Sequence, residues 1–388
     1  MAGIYLHIPY CKKACHYCNF YFSVSLKSKN DFTAALLKEI KLQQNYLQQE
    51  SVSTIYLGGG TPSLLEKEDL QKIFNELRQY FVIEPDAEIT LEANPDDINP
   101  DKLRAWKAAG INRLSIGIQS FFEEDLRWMN RAHNAAQAKE CILMAQEAGI
   151  NNISIDLIYG TPGLTDENWQ QNVSTAIALN IPHLSCYALT VEPGTALQKM
   201  IDQHKKQDVD PEKQAHHFLL LMDWLQTAGY EHYEISNFAK PGHRSKHNSS
   251  YWSGKKYLGL GPSAHSFNGM VRQWNIANTQ LYIQSLNQEK VPAEIETLTD
   301  TQHLNEYIMT SLRTQEGIDL QKVEKRFSEA IAQQLKRNSL KYIEGKKLIS
   351  NGKSLQLTKE GKLFADGIAS DLFFTETSTN KPFAPTIK

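Results

Sequence analysis

Cysteine is scarce in this chain of 388 residues, which contains only five. Five thiols are too few for a disulfide-stabilised scaffold. Charge of one sign is not in excess either, because 41 basic and 44 acidic residues give a formal net charge of -3 and no overall field that would attract nucleic acid. Long hydrophobic runs are missing as well. The longest, residues 218–225, is too short to span a bilayer and includes Asp223.

The N-terminus lacks the basic stretch and the long apolar stretch of a secretory signal. Together these absences predict a soluble cytoplasmic protein with no transmembrane segment and no nucleic-acid partner. The hydrophobic fraction of 41% is that of a globular protein, and the length is sufficient for two or three domains.

Short runs rich in β-branched residues alternate with amphipathic stretches in residues 1–240. The runs predict strands at Gly3–Pro9, Thr54–Leu57, Glu88–Glu92, Arg113–Gln119, Asn152–Ile158 and His183–Thr190. The stretches predict helices at Asp31–Gln48, Lys67–Tyr80, Asp101–Ala109, Ala135–Ala148 and Glu167–Ala178. Repeated strand–helix units indicate an α/β fold with a parallel sheet, and six units favour a partial (β/α)6 barrel over a closed eight-stranded one. Ligands of such folds bind at the carboxyl ends of the strands.

The remainder of the chain has a different pattern. Residues 241–298 form a connecting segment rich in glycine and aromatic residues, with the sequences HNSSYW at 247–252 and YLGLGPSAHS at 257–266. Residues 299–374 predict three helices and a hairpin with an Asn-Gly turn, which is typical of a winged-helix-like α+β domain. Residues 375–388 are polar and contain proline, and we expect them to be disordered.

Three of the cysteines, Cys11, Cys15 and Cys18, lie within eight residues, immediately after the first predicted strand. In this spacing a loop can bring three thiolates to three corners of an iron–sulfur cubane and leave the fourth iron open for a ligand. A structural zinc site with His7 or His16 as the fourth ligand is the alternative from spacing alone. The other two cysteines lie in predicted core elements and are expected to be buried thiols: Cys141 and Cys186.

The CxxxCxxC motif after the first strand, with the aromatic Tyr17 before its third cysteine, resembles the radical S-adenosylmethionine (SAM) superfamily. The resemblance implies a [4Fe-4S] cluster on Cys11, Cys15 and Cys18, and SAM bound at the open iron. Further support comes from GGGTP at 58–62 and from polar residues near later strand ends. The SAM contacts implied by the resemblance are Tyr5, Tyr17, Gly59, Gly60, Thr61, Glu92, Gln119, Arg131, Asp156 and Ala188. Whether one or two SAM molecules bind is left open.

Within the superfamily the chain resembles the branch that contains anaerobic coproporphyrinogen III oxidase and the HemW-type haem chaperones. The similar sequences extend over nearly the whole chain and include LEANPDD, RLSIGIQSF, NRAH and SIDLIYGTPG. Three features distinguish the chain from the oxidase. Phe20 stands where the oxidase has a fourth cysteine, Cys11 lies too near the start for the oxidase's N-terminal extension, and HNSSYW resembles the HNxxYW signature of haem binding in the chaperones.

The resemblance therefore implies a haem chaperone that transfers haem to haem-requiring proteins such as respiratory enzymes, without coproporphyrinogen oxidase activity. The implied haem contacts are His247, Asn248, Tyr251 and Trp252, with His247 as the first choice of axial ligand and His265 as a substitute. Coproporphyrinogen III oxidase is the alternative function, and a DNA-binding regulator is a third, less favoured one. No residue is assigned a catalytic role, and a homodimer stays open.

Overall fold

A computed structural model describes residues 1–375 of the chain. Apart from Thr375, the predicted disordered tail at 375–388 lies outside the described residues. The chain divides into two compact units. The larger comprises Met1–Glu231, Phe238–Ser250 and Lys255–Glu296, and the smaller comprises His232–Asn237, Tyr251–Gly254 and the chain from Thr297 onward.

Strands and helices alternate through most of the larger unit. The strands of the described residues are β1 Ala2–Ile8, β2 Val52–Gly59, β3 Ile83–Ala93, β4 Arg113–Gln119, β5 Ile153–Tyr159, β6 His183–Ala188, β7 Glu231–Glu234, β8 Asn237–Ala239, β9 Tyr257–Leu260, β10 His265–Phe267, β11 Val271–Asn275, β12 Ala293–Thr297, β13 Ile318–Asp319, β14 Leu348–Ser350 and β15 Ser354–Leu357.

The helices cover the sheet and build most of the smaller unit. They are α1 Lys29–Leu42, α2 Lys67–Tyr80, α3 Pro100–Ala109, α4 Glu123–Trp128, α5 Ala135–Glu147, α6 Asp166–Ala178, α7 Ala196–Asp202, α8 Pro211–Thr227, α9 Lys246–Trp252, α10 Thr279–Asn287, α11 Asp300–Leu312, α12 Leu320–Arg326, α13 Glu329–Glu344 and α14 Ala365–Asp371. Within residues 1–375, no helix combines the length and the apolar character needed to cross a membrane.

The six predicted barrel strands lie side by side and are parallel, in the order β1-β2-β3-β4-β5-β6. The predicted α/β fold with a partial (β/α)6 barrel is thus confirmed. On the other side of β1 the sheet continues through β9, β10, β11 and β12. The segment predicted only as a connection therefore extends the sheet, with β9 parallel to β1.

Local sequence explains where the helices of the barrel begin. In α3, the side chain of Asn99 accepts a hydrogen bond from the backbone of Lys102, and Pro100 occupies the first helical position. Asn134 and Gln137 form a capping box at the start of α5. The apolar residues of the amphipathic helix α2 that face the sheet are all buried: Leu70, Ile73, Phe74 and Leu77.

Alternation along the barrel strands separates an apolar face from a polar one. On β4, Leu114, Ile116 and Ile118 are fully buried. The residues between them point into the barrel and line a cavity there: Arg113, Ser115, Gly117 and Gln119. The interior of the barrel is therefore polar, and this is the wall on which the candidate site is built.

The smaller unit has its own hydrophobic core. Helices α11, α12 and α13 precede the hairpin β14–β15, whose turn contains Gly352 with a φ of 82°. Strand β13 pairs with β15, which completes a three-stranded sheet in the order β13-β15-β14. The buried side chains that join the helices to this sheet include Leu304, Ile308, Leu335 and Leu355. The predicted winged-helix-like domain is confirmed.

Candidate functional site

A cavity of about 400 Å³ opens at the carboxyl ends of the barrel strands. Its wall begins at the loop after β1, where Cys11, Cys15 and Cys18 all face it. Nine of the ten residues expected to contact SAM also line it: Tyr17, Gly59, Gly60, Thr61, Glu92, Gln119, Arg131, Asp156 and Ala188. Tyr5 is not in the wall. Its hydroxyl lies 3.1 Å from Nδ1 of His7, and its ring stacks on Tyr56.

The cysteine loop is held at both ends and in its middle. The backbone N–H of Cys11 donates to Ser23 O over 3.0 Å, which returns the loop to the end of β1. In the middle, Asn130 Nδ2 donates to Ala14 O at 2.7 Å, and the N–H of Leu197 donates to His16 O at 2.8 Å. These bonds fix the path of the loop without using any cysteine side chain.

The donor set fits a group with several metal ions better than a single zinc ion. Thiolates around one zinc ion stand about 3.8 Å apart, given a zinc–sulfur distance near 2.3 Å. Among the described residues, no three His, Cys, Asp or Glu side chains are placed to hold one ion. Both ring nitrogens of His7 are engaged, by Tyr5 Oη and Tyr21 O, while Nδ1 of His16 lies 3.1 Å from Trp128 O. Three thiols facing one open cavity match the three-corner arrangement of a cubane.

The glycine turn after β2 packs closely against the cysteine loop. Gly59 has a φ of +104°, in the left-handed region that favours glycine. A Cβ at Gly60 would lie 2.7 Å from the carbonyl oxygens of Ile8 and Tyr10. The backbone of Gly60 therefore lies closer to the start of the cysteine loop than a residue with a side chain could.

Two half-buried carboxyl groups face the cavity, on Glu92 and Asp156. Glu92 accepts hydrogen bonds from Tyr56 Oη at 2.8 Å and from the backbone N–H of Gly59 at 3.1 Å. Burial raises the pKa of Glu92 to about 7, and the charge of Asp156 adds to the rise. Burial also raises the pKa of Asp156 to about 6. Both groups can accept hydrogen bonds from a bound ligand, and a cationic ligand would favour their ionised forms.

Arg131 lies beside the cysteine loop. Its Nη2 donates to Gly117 O at 2.7 Å, and its Nη1 donates to Cys15 Sγ at 3.2 Å. Gln119, at the end of β4, has a φ of +66°, a strained conformation for a residue with a side chain. The strand end thus turns sharply where the cavity begins.

Sequence reasoning missed several residues of the cavity wall. The sequence feature that could have identified them is the alternation of polar and apolar residues along β4, β5 and β6, which indicates that one face of these strands is polar. The missed residues with polar side chains in the lower wall are Arg113, Ser115, Ser154 and Ser185. Asn94, directly after β3, was also missed as a site residue, although it lies within the sequence LEANPDD that carries part of the resemblance.

The motif HNSSYW forms most of helix α9, and its residues divide between the two units. His247 is 1% exposed, its Nδ1 lies 2.8 Å from Thr54 Oγ1, and its ring stacks on Tyr56 at 5.0 Å between centroids. Burial lowers the pKa of His247 to about 3, so the imidazole is neutral. Asn248 lines the cavity, whereas Tyr251 and Trp252 belong to the smaller unit. His247, which the resemblance implies as a haem ligand, thus lies inside the barrel against β2.

Comparison with known proteins shows which families the chain resembles. Residues 5–176 match the family model of the Radical SAM superfamily, and residues 298–364 match the HemN C-terminal domain. Over 379 residues the chain is 35% identical to the heme chaperone HemW of Mycobacterium tuberculosis, covering 95% of this chain and 94% of that protein. Identity to the HemW of Bacillus subtilis is 34% over 378 residues, covering 95% and 98%.

A solved structure has a similar fold. Coproporphyrinogen III oxidase (HemN) from Escherichia coli, described as a radical SAM enzyme, superposes with a TM-score of 0.83 at 25% identity and covers 96% of this chain and 90% of its own. With two relatives above 30% identity along almost the full length, the chain belongs to the HemW family of the radical SAM superfamily.

Proposed function

We propose that the protein is a haem chaperone that holds a [4Fe-4S] cluster and SAM in the barrel cavity, binds haem, and delivers it to haem-requiring proteins. One observation carries the proposal. The three cysteines and nine of the ten expected SAM contacts line a single cavity, in a chain 35% identical to a protein named a heme chaperone. The cytoplasm is the proposed location, and respiratory enzymes are the proposed recipients.

Each part of the cavity wall has a role in this proposal. Cys11, Cys15 and Cys18 supply the thiolates for three irons. When bound, a reduced cluster supplies one-electron chemistry toward SAM. The glycine turn would let the backbone approach SAM closely, and Glu92 and Asp156 would accept hydrogen bonds from its polar groups. Arg131 places a positive charge beside the cysteine loop.

Haem binding is assigned to HNSSYW, with His247 as the axial ligand. A neutral imidazole is the form that binds iron, and burial keeps His247 in that form. Because the ring is buried on Tyr56, iron can reach it only after helix α9 shifts. The exposed His265, whose ring stacks on Trp274, is the second candidate ligand and needs no such shift.

Coproporphyrinogen III oxidase is the second candidate function, and the TM-score of 0.83 to HemN favours it. The residue at position 20 argues against it. Where the oxidase pattern has a cysteine, this chain has Phe20, which is 67% exposed and lies at the mouth of the cavity. A phenylalanine there offers apolar surface and no thiol.

Haem titration of purified variants tests the site assignment. We expect His247→Ala to weaken haem binding at least about tenfold, or ~1.4 kcal/mol, because an axial ligand is lost. The spectrum of bound haem should change while the iron–sulfur absorption stays. A triple variant with alanine at Cys11, Cys15 and Cys18 should still bind haem. The measurement is the Soret absorbance as haem is added, with thermal unfolding recorded for every variant.

Two histidine variants serve as comparisons. His243→Ala alters an exposed ring just before the motif and should leave the titration unchanged. His265→Ala should change it if His265 is the ligand instead. Equal affinity and an unchanged spectrum in variants of His247, Tyr251 and Trp252 would show that the motif does not bind haem.

A further inference from the structure

Asn94 links two hydrogen-bond donors that reach the sulfur atoms of two cysteines. It follows β3 directly, and both ends of its side-chain amide are used. Its Nδ2 donates to Thr61 Oγ1 at 3.2 Å, while its Oδ1 accepts from Arg131 Nη2 at 2.8 Å. The backbone N–H of Asn94 donates to Ser63 Oγ at 3.3 Å, which fixes the residue at the strand end.

The two partners of Asn94 each contact one cysteine of the loop. Thr61 Oγ1 donates to Cys11 Sγ at 3.4 Å, and Arg131 Nη1 donates to Cys15 Sγ at 3.2 Å. A hydroxyl group carries only one hydrogen. Because Asn94 occupies the acceptor side of Thr61, that hydrogen is directed to the sulfur of Cys11. On the other arm, Asn94 and Gly117 O together hold the guanidinium so that Nη1 faces Cys15.

We propose that Asn94 is a positioning residue that aligns Thr61 and Arg131 on the sulfurs of Cys11 and Cys15 and thereby raises the reduction potential of the bound cluster. The inference rests on the proposed cluster site, and it gives Asn94 a role that cluster binding by the three cysteines does not require. Reduction places one further electron on the cluster. Donors on the ligating sulfurs stabilise the added negative charge, and the donor from Arg131 carries a full positive charge.

Asn94 is suited to this task because it is both a donor and an acceptor. An aliphatic residue at position 94 would leave the Thr61 hydroxyl free to turn away from Cys11 and would remove one of the contacts that orient Arg131. An amide carries no charge of its own, so it aligns both donors without adding a negative charge beside the cluster.

The test is the midpoint potential of the cluster, measured without SAM by an anaerobic titration followed by electron paramagnetic resonance. We expect Asn94→Ala to shift the midpoint potential to more negative values by ~59 mV. For a one-electron couple, this shift lowers the ratio of reduced to oxidised cluster about tenfold at a given solution potential. Thr61→Val should shift it in the same direction by less, and Thr61→Ser should not shift it. In the double variant Asn94→Ala with Thr61→Val, the shift should be smaller than the sum of the single shifts, since both act on one arm.

Asn45→Ala, at an exposed asparagine outside the cavity, is the matched control. A wild type without iron or sulfide would overturn the proposed cluster site itself. A wild type with the cluster, together with an unchanged potential in Asn94→Ala, would overturn only the role of Asn94, whatever Thr61→Val shows. If Asn94→Ala retains too little cluster for a titration, Asn94→Ser and the two Thr61 variants decide, because loss of the Cys11 donor alone must shift the potential.

Discussion

Replacing any one of Cys11, Cys15 and Cys18 with alanine is expected to remove nearly all of the iron from the anaerobically prepared protein. The wild type should contain about four iron and four sulfide per chain, since three thiolates hold three corners of a cubane. Loss of one thiolate leaves an iron that water binds poorly, so the cluster is lost as a unit. Iron and acid-labile sulfide analysis, with the visible absorption spectrum, gives the measurement.

The two core cysteines supply the control for these variants. Cys141 and Cys186 are buried away from the loop, so Cys141→Ala and Cys186→Ala should keep a full cluster. One equivalent of zinc and no iron after anaerobic reconstitution of the wild type would contradict the cluster. A full cluster in a single-site variant of the loop would contradict the assignment of that cysteine.

Glu92→Gln is expected to weaken SAM binding by about one to two orders of magnitude while the cluster stays. A hydrogen bond to an ionised group contributes about 1.5–3 kcal/mol, which corresponds to this range. The change keeps the size of the side chain and the bond from Gly59 but removes the charge. Equilibrium dialysis of SAM with the cluster-loaded protein is the measurement. Glu294→Gln, at an exposed carboxyl group of β12, is the matched control.

The same carboxyl group should make SAM binding depend on pH. Burial raises the pKa of Glu92 to about 7, so in the protein without SAM the group is largely protonated at pH 6 and largely ionised at pH 8. SAM carries a sulfonium cation, which favours the ionised form. Affinity should therefore rise as the pH increases through about 7, and Glu92→Gln should flatten this rise. If Glu92→Gln and the wild type bind SAM with equal affinity at pH 8, Glu92 does not contact SAM.

The barrel could be predicted from sequence because each of its strands carries a strong local pattern. Arg113–Gln119 was predicted with the bounds that the structure has. Strand β3 is longer than predicted, since its first residues, Ile83 to Ala87, include proline and two acidic residues and lack an apolar alternation. Strands β9 to β12 are three to five residues long, too short for periodicity to be recognised, so the extension of the sheet beyond β1 was missed.

The cavity wall was predictable where residues end strands, and not where contacts join distant segments. Glu92 and Gln119 stand at predicted strand ends, where ligands of such folds bind, and the family resemblance identified them as SAM contacts. The links from Asn94 to Thr61 and Arg131 depend on three loops meeting above the barrel, which sequence spacing does not encode. The burial of His247 could not be predicted either. Glu88 on β3 accepts from the first backbone N–H groups of α9 and holds the start of this helix against the strand, a contact between segments far apart in the sequence.

Haem transfer, run beside an oxidase assay, tests the central claim most directly. Haem-loaded protein is mixed with rising concentrations of haem-free myoglobin, and the Soret band of the acceptor is followed. In parallel, the cluster-loaded protein is incubated with coproporphyrinogen III, SAM and dithionite. The account predicts a transfer rate that increases with acceptor concentration, as direct delivery requires, and no protoporphyrinogen. Protoporphyrinogen formation, or haem release at a rate independent of the acceptor, would contradict it.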